Sequence, residues 1–233
     1  MIIAANFKTN HTRKSTKEFI KELDYFLRLH DIDDTVVIFP PNTAYDNFDT
    51  DIKLGAQNAY HVEKGSFTGE IGLEQLNEFG IKTILIGHSE RRHILGETQE
   101  LISKKFKFFS KNGFEIIYCI GEPKEIREQG IEAVMEYLWK QFDNIDINYN
   151  RLIVAYEPVW AIGTGLTATA TQIDETLNLL RDRIKAPLLY GGSVKVANIK
   201  EILSIRNCNG VLVGTASWEI KSFCDMISIS KTL

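Results

Sequence analysis

Five short stretches of this sequence carry groups able to do acid–base and anion chemistry, and each directly follows a run of Ile, Val, Leu or Tyr. They are Asn6-Phe7-Lys8-Thr9-Asn10, Gly87-His88-Ser89-Glu90-Arg91-Arg92, Glu157-Pro158-Val159-Trp160, Gly191-Gly192-Ser193-Val194 and Gly214-Thr215-Ala216-Ser217. An amide (Asn6), an ammonium (Lys8), an imidazole (His88) and a carboxylate (Glu157) brought to one mouth suit proton transfer at a carbon next to a carbonyl. The carboxylate takes the proton and the donors hold the enolate oxygen. The two glycine turns each precede a helical pattern, where backbone N–H groups favour an anion such as phosphate. A small phosphorylated carbonyl compound is the substrate these groups suggest.

Such convergence needs a frame. Eight apolar runs bounded by Gly, Pro or Asn read as strands buried on both faces: Ile2–Asn6, Val36–Phe39, Ile52–Gln57, Thr83–Ile86, Ile116–Ile120, Leu152–Tyr156, Leu188–Tyr190 and Gly210–Val213. Helical stripes lie between them, such as Phe19, Leu23, Phe26 and Leu27, or Ile173, Leu177, Leu180 and Ile184. Ser15 with Glu18 has the form of a capping box, and Gly80 and Gly113 stand where helices should stop. Pro40-Pro41 breaks any immediate helix after the second strand. Parallel strands joined by helices can form an open, doubly wound sheet. Eight units make a closed (β/α)8 barrel more economical, because closure leaves no exposed edge. No linker or low-complexity tract interrupts the series, so one domain is expected over residues 1–233. In such a barrel the groups that follow the strands gather at one end.

Composition narrows the rest. With 27 basic against 31 acidic residues the formal charge is −4, which argues against non-specific binding to nucleic acid or anionic membrane. At 44% hydrophobic and 25% charged residues, no stretch approaches a membrane span. The N-terminal apolar run meets Asn6 and Lys8 too early for a signal peptide, so a cytoplasmic location is expected. Cys119, Cys208 and Cys224 have no C-x-x-C spacing, which points to reduced, buried thiols rather than disulfides or a thiolate metal site. His88 and His93, five apart and without a following ligand, do not suggest a metal site either. His11, His30, His61 and His93 read as structural.

The motifs NFKTN, GAQNAY, GSFTGEIG, IGHSERR, CIGE, AYEPVWAIGTG, YGGSV and LVGTAS stand in this order along nearly the whole chain. In this the sequence resembles the triosephosphate isomerases. The resemblance implies a single-domain barrel that interconverts dihydroxyacetone phosphate and glyceraldehyde 3-phosphate without metal or organic cofactor. It makes Glu157 the base, His88 the electrophile at the carbonyl, and Lys8 with Asn6 the groups that bind substrate and stabilise developing charge. Glu90 resembles an acid bordering the site, but an ion pair with Arg91 or Arg92 is an equal reading, so it stays outside the catalytic set. Residues 158–168 correspond to a mobile lid whose Gly163 amide would meet the phosphate, with Ser193, Gly214 and Thr215 completing the clamp. The long third loop implies a homodimer with Gln57, Asn58 and Thr68 at its interface.

Three departures from the family pattern stand out: Thr9 for Met, Leu166 for Lys and Thr215 for Gly. Another phosphosugar barrel, such as an aldolase or an epimerase, would share the phosphate clamp, but no Schiff-base lysine within a strand and no metal-ligand set is apparent. A catalytically silent scaffold barrel would be expected to have lost Glu157, His88 or Lys8, and all three are present.

Overall fold

The computed structural model describes residues 1–162 and 166–233. Strand β1 (Ile2–Asn6) leads to helix α1 (Arg13–Leu29), β2 (Thr35–Phe39) to a 3-10 turn at Asn42–Ala44, and β3 (Lys53–Ala56) to α2 (Leu73–Glu78). Strand β4 (Thr83–Ile86) is followed by α3 (Ser89–His93) and α4 (Gln99–Lys111), and β5 (Glu115–Ile120) by α5 (Lys124–Arg127) and α6 (Ile131–Lys140). After β6 (Leu152–Tyr156) come a 3-10 turn at Val159–Ala161 and α7 (Ala170–Arg181), and β7 (Leu188–Tyr190) leads to α8 (Ile199–Leu203). Strand β8 (Gly210–Val213), a 3-10 turn at Thr215–Ser217 and α9 (Ile220–Ser230) end the series.

All neighbouring strands pair in parallel in chain order, and β8 pairs with β1, so the sheet closes. The expected (β/α)8 barrel is the fold, and the alternative of an open sheet is excluded. At the closing seam Gly210 admits no side chain: a Cβ there would lie 1.9 Å from the carbonyl oxygen of Ile2.

Each strand alternates its side chains between two apolar environments. Ala4, Val37, Phe39, Leu85, Ile117, Cys119, Ile153, Ala155, Leu189 and Leu212 fill the barrel interior as one cluster. Their neighbours, such as Ile3, Ala5, Ile38, Ile84 and Ile116, face outward into a second cluster with the helices. That explains why the strand runs read as continuously apolar. The helical stripes meet the strands as expected, with Phe19 and Leu23 of α1, and Ile173, Leu177 and Leu180 of α7, buried. Among the described residues no helix is long and apolar enough to cross a membrane. The three cysteines are free and buried.

The start of α1 differs from expectation. Its cap is Thr12, not Ser15: the Thr12 hydroxyl accepts the Ser15 N–H (3.2 Å) and the Ser15 hydroxyl accepts the Thr12 N–H (2.9 Å). Ser15 can therefore close a reciprocal box as the third helical residue, and Glu18 lies inside the helix near Lys14. Gly80 (φ +63°) and Gly113 (φ +73°) do follow helix ends, in the left-handed conformation. Thr12→Ala should accordingly lower the unfolding free energy by about 0.5–2 kcal/mol, read from urea titration, whereas Glu18→Ala should change it by less than about 0.5 kcal/mol.

Candidate active site

The C-terminal strand ends surround a cavity of about 480 Å³ lined by Asn6, Lys8, His88, Glu157, Ser193, Gly214 and Thr215. Seven of the eight candidate site residues thus meet in one space; the eighth, Gly163, lies outside the described residues. Sequence reasoning missed two further lining residues: Leu212, which is apolar, and Lys195, an additional cation.

Glu157 directly follows β6 and is 2% exposed. Its Oε2 accepts the Ser89 N–H at 3.2 Å, and its Oε1 lies 3.4 Å from Nε2 of His88. Burial pushes its carboxyl above the ordinary range, while His88, the Ser89 amide and Lys8 pull it partly back. Two glycines make room for it. A Cβ on Gly191 would lie 2.7 Å from Glu157 Cγ, and one on Gly121 would lie 1.8 Å from the Glu157 carbonyl oxygen.

His88 caps the N-terminus of α3, and its Nδ1 accepts the Glu90 N–H at 3.3 Å. That bond requires a lone pair on Nδ1, which leaves the ring proton on Nε2, the nitrogen facing the cavity and Glu157. The neutral tautomer thus follows from local geometry at a helix start.

Lys8 has a left-handed backbone, φ +54°, which is costly for a residue with a Cβ. It is held from both sides: Asn6 Oδ1 accepts its N–H (3.0 Å) and Gln57 Nε2 donates to its carbonyl (2.8 Å). Gln57 also binds the carbonyl of Phe39 (2.9 Å), so this residue, expected at a subunit interface, has an intrachain task. Asn58 likewise accepts a bond from Lys105 (2.6 Å), while Thr68 is exposed. The Lys8 ammonium sits 2.5 Å from Glu90 Oε1. Glu90 therefore pairs with neither Arg91 nor Arg92. Arg91 binds Glu97, and Arg92 binds the Gly87 carbonyl and Gln99.

The glycine turns also differ from expectation. After β8 the chain forms a 3-10 turn, closed by the Ser217 N–H and hydroxyl on the Gly214 carbonyl (2.8 and 2.7 Å), and α9 begins only at Ile220. After β7, α8 begins only at Ile199. Amides at this end of the cavity thus belong to a tight turn and a loop rather than to an α-helix start. Nor do these glycines serve a left-handed backbone, since Gly191, Gly192 and Gly214 are all outside that region. They permit close approach: a Cβ on Gly192 would lie 2.2 Å from the Tyr190 hydroxyl, and one on Gly214 would lie 3.2 Å from Lys8 Cε.

Glu122 is the largest omission of the sequence reading. It is fully buried and its Oε1 accepts from Arg127 Nε (2.8 Å), Tyr156 OH (3.1 Å) and Trp160 Nε1 (3.0 Å). A signal existed: Glu122-Pro123 stands one residue beyond the end of β5, much as Glu157-Pro158 directly follows β6. Trp160, in the 3-10 turn after β6, is thereby fastened to the loop after β5. Among the described residues no group of three His, Cys, Asp or Glu side chains could hold a metal ion.

Comparison with known proteins agrees with this geometry. The family model described as "Triosephosphate isomerase" matches residues 1–230. Triosephosphate isomerase of a Sulfurovum species is 59% identical over 227 residues, covering 97% of this chain and 99% of that protein. That of a Nitratiruptor species is 55% identical over 233 residues, all of both chains. That of Helicobacter hepaticus is 52% identical over 236 residues, 99% of each. With its closed barrel, its clustered carboxylate, imidazole and ammonium, and these relatives along its whole length, the chain belongs to the triosephosphate isomerase family.

Proposed function

We propose that the isomerase reaction of this family, interconversion of dihydroxyacetone phosphate and D-glyceraldehyde 3-phosphate through an enediolate in glycolysis and gluconeogenesis, is carried here by Glu157, His88, Lys8 and Asn6. The observation that supports this most is the buried Glu157 carboxylate beside the Nε2–H of His88 in the cavity that also receives Lys8. A carboxylate whose proton affinity burial has raised is suited to take a proton from carbon, and to return it to the neighbouring carbon. Nε2–H of His88 and the Lys8 ammonium are placed to donate to the oxygen that becomes negative. Asn6 serves by holding Lys8 through its backbone as well as by lining the cavity. At the other end, Ser193, Gly214 and Thr215 form the phosphate subsite. Ile162 and Leu212 keep the reacting carbons dry. Residues 1–233 act as one catalytic domain in the cytoplasm, with no metal or organic cofactor.

The working form is a homodimer. A second hollow of about 700 Å³ opens on the far side of Lys8 and Glu90, bordered by Thr9, His11, Asn42 and the exposed Leu95. The third loop carries Thr68 beside the exposed Phe67, a protrusion suited to such a hollow in a second copy. Gln57 and Asn58 stand at the base of that loop.

Glu157→Gln tests the base. In a coupled assay with glyceraldehyde 3-phosphate, kcat should fall by at least about 10²–10⁴-fold with KM little changed; retention of a tenth of the activity would falsify the assignment. Because the folded carboxyl titrates above its unfolded value, its protonated form contributes stability that is complete at low pH and is lost as pH rises through the folded value. Glutamine suffers no such loss, so this variant should unfold at higher urea than the wild type at pH 7, and the difference should vanish below roughly pH 4.

Thr215→Gly should alter the inhibition constant of a simple phosphate ester by no more than about tenfold, the worth of one hydroxyl bond. Gly214→Val should weaken the ester more and also lower kcat, because its side chain would press on Lys8 Cε. The reverse ranking would mean that side chains, not backbone amides, hold the phosphate.

Thr68→Asp should halve the sedimenting mass at micromolar protein and lower activity in parallel. A fully active monomer would remove the third loop from the site.

A further inference from the structure

The backbone that carries Glu157 is borrowed from the neighbouring strand. Beyond the last paired residues of β5 and β6, the Glu157 N–H donates to the Ile120 carbonyl (2.7 Å) and the Val159 N–H to the Glu122 carbonyl (3.0 Å). Between these two anchors stands Gly121, against whose Cα the Glu157 carbonyl rests so closely that no Cβ could intervene. Gly121 must therefore be the residue type with the least intrinsic backbone rigidity, and it lies one step beyond the regular ladder. Something outside the sheet has to hold it.

Gln141 does so. Its side chain, 7% exposed, takes both backbone groups of Gly121: Oε1 accepts the N–H (3.0 Å) and Nε2 donates to the carbonyl (2.8 Å). The two bonds imitate a missing strand. Gln141, in turn, is fixed through its own carbonyl, which accepts from Gln99 Nε2 (2.8 Å) and from the Tyr118 hydroxyl. Gln99 Oε1 accepts from Arg92 Nη1 (2.8 Å), and Arg92 donates to the carbonyls of Gly87 (2.7 Å) and Cys119 (3.3 Å). Gly87 immediately precedes His88. One network under the barrel rim thus fastens the peptide before His88 and the peptide behind Glu157.

We propose that Gln141 is a positioning residue for the isomerase reaction: through Gly121 it sets the backbone of Glu157, and its loss displaces the base without emptying the substrate site. Among the described residues Gln141 lines neither hollow at the mouth and touches no group placed at the phosphate end. It acts on kcat and leaves substrate binding alone. The proposal rests on Glu157 being the base.

The test is Gln141→Met, which keeps length and volume and removes both bonds. With the protein folded by circular dichroism, kcat should fall about ten- to a hundredfold, the range set by sub-ångström to 1 Å misplacement of a catalytic group. KM and the inhibition constant of inorganic phosphate should stay within twofold. Leu138→Ala, a buried change one turn earlier on α6, serves as the control for destabilisation alone. If Gln141→Met folds with kcat within twofold of wild type, or loses no more than Leu138→Ala does at equal melting temperature, the clamp has no part in catalysis. Should the methionine variant not fold, Gln141→Glu keeps the acceptor for the Gly121 N–H, and a kcat loss of at least threefold at unchanged KM is expected of it; a wild-type kcat overturns the proposal. Glu157→Gln measured alongside separates the two levels. Its retention of activity removes the base and the clamp together, whereas an inactive Glu157→Gln with an unimpaired Gln141→Met removes the clamp alone.

Discussion

A carboxylate withdrawn from water is unstable unless something compensates it, and the geometry around Glu157 is organised by that constraint. Full compensation by a close cation would fix the group in its ionised form. This structure supplies one amide N–H from Ser89 and one imidazole nitrogen at 3.4 Å, while Lys8, a full cation that also acts on it, is itself occupied by Glu90. The carboxyl is therefore held above its ordinary range yet remains able to ionise. Gly191 and Gly121 follow from the same demand, since the side chain and carbonyl of Glu157 fill the space that their Cβ atoms would need.

A second constraint concerns Lys8. To turn its side chain across the barrel mouth immediately after β1, the chain takes a left-handed step that an L-residue takes only when its neighbours insist. Asn6 and Gln57 insist, one on the N–H and the other on the carbonyl. Their amides come from the ends of β1 and β3, so the strain is absorbed by the barrel rather than by the loop. Gln57 bridges to the Phe39 carbonyl as well, which ties the ends of three strands to one functional lysine.

Fold and site were legible in the sequence to different degrees, for physical reasons. Strands buried on both faces leave a signal in every residue, and the expected ends of β1, β4, β6, β7 and β8 coincide with the observed ones. The helix cap was misplaced because Ser15 and Thr12 are both good cap residues, and only the backbone angles decide which closes the box. Asn6, Lys8, His88 and Glu157 stood out in the sequence because groups that follow the strands gather at one mouth in this fold, and there they line one cavity. Gln57, Gln141 and Gly121 were not assigned their tasks. Their value lies in what they touch 18 to 49 residues away, and no local pattern records such a contact. The glycines after β7 and β8 were legible as anion-binding turns ahead of helices, but their close approach to Tyr190 and Lys8 depends on contacts that no local pattern records.

Net charge is a poor guide to how this protein meets an anion. The chain carries −4 overall, and a uniformly acidic surface would repel a phosphate ester. The cavity pairs its charges instead. Its acids, Glu157 within and Glu90 beside Lys8, each stand against a donor: His88 for Glu157 and Lys8 for Glu90. Ser193, Thr215 and Lys195 line the same space, and so does Gly214, whose Cβ would stand 3.2 Å from Lys8 Cε. An anion arriving there meets amides, hydroxyls and a cation at short range, where local field outweighs the screened sum of distant charges.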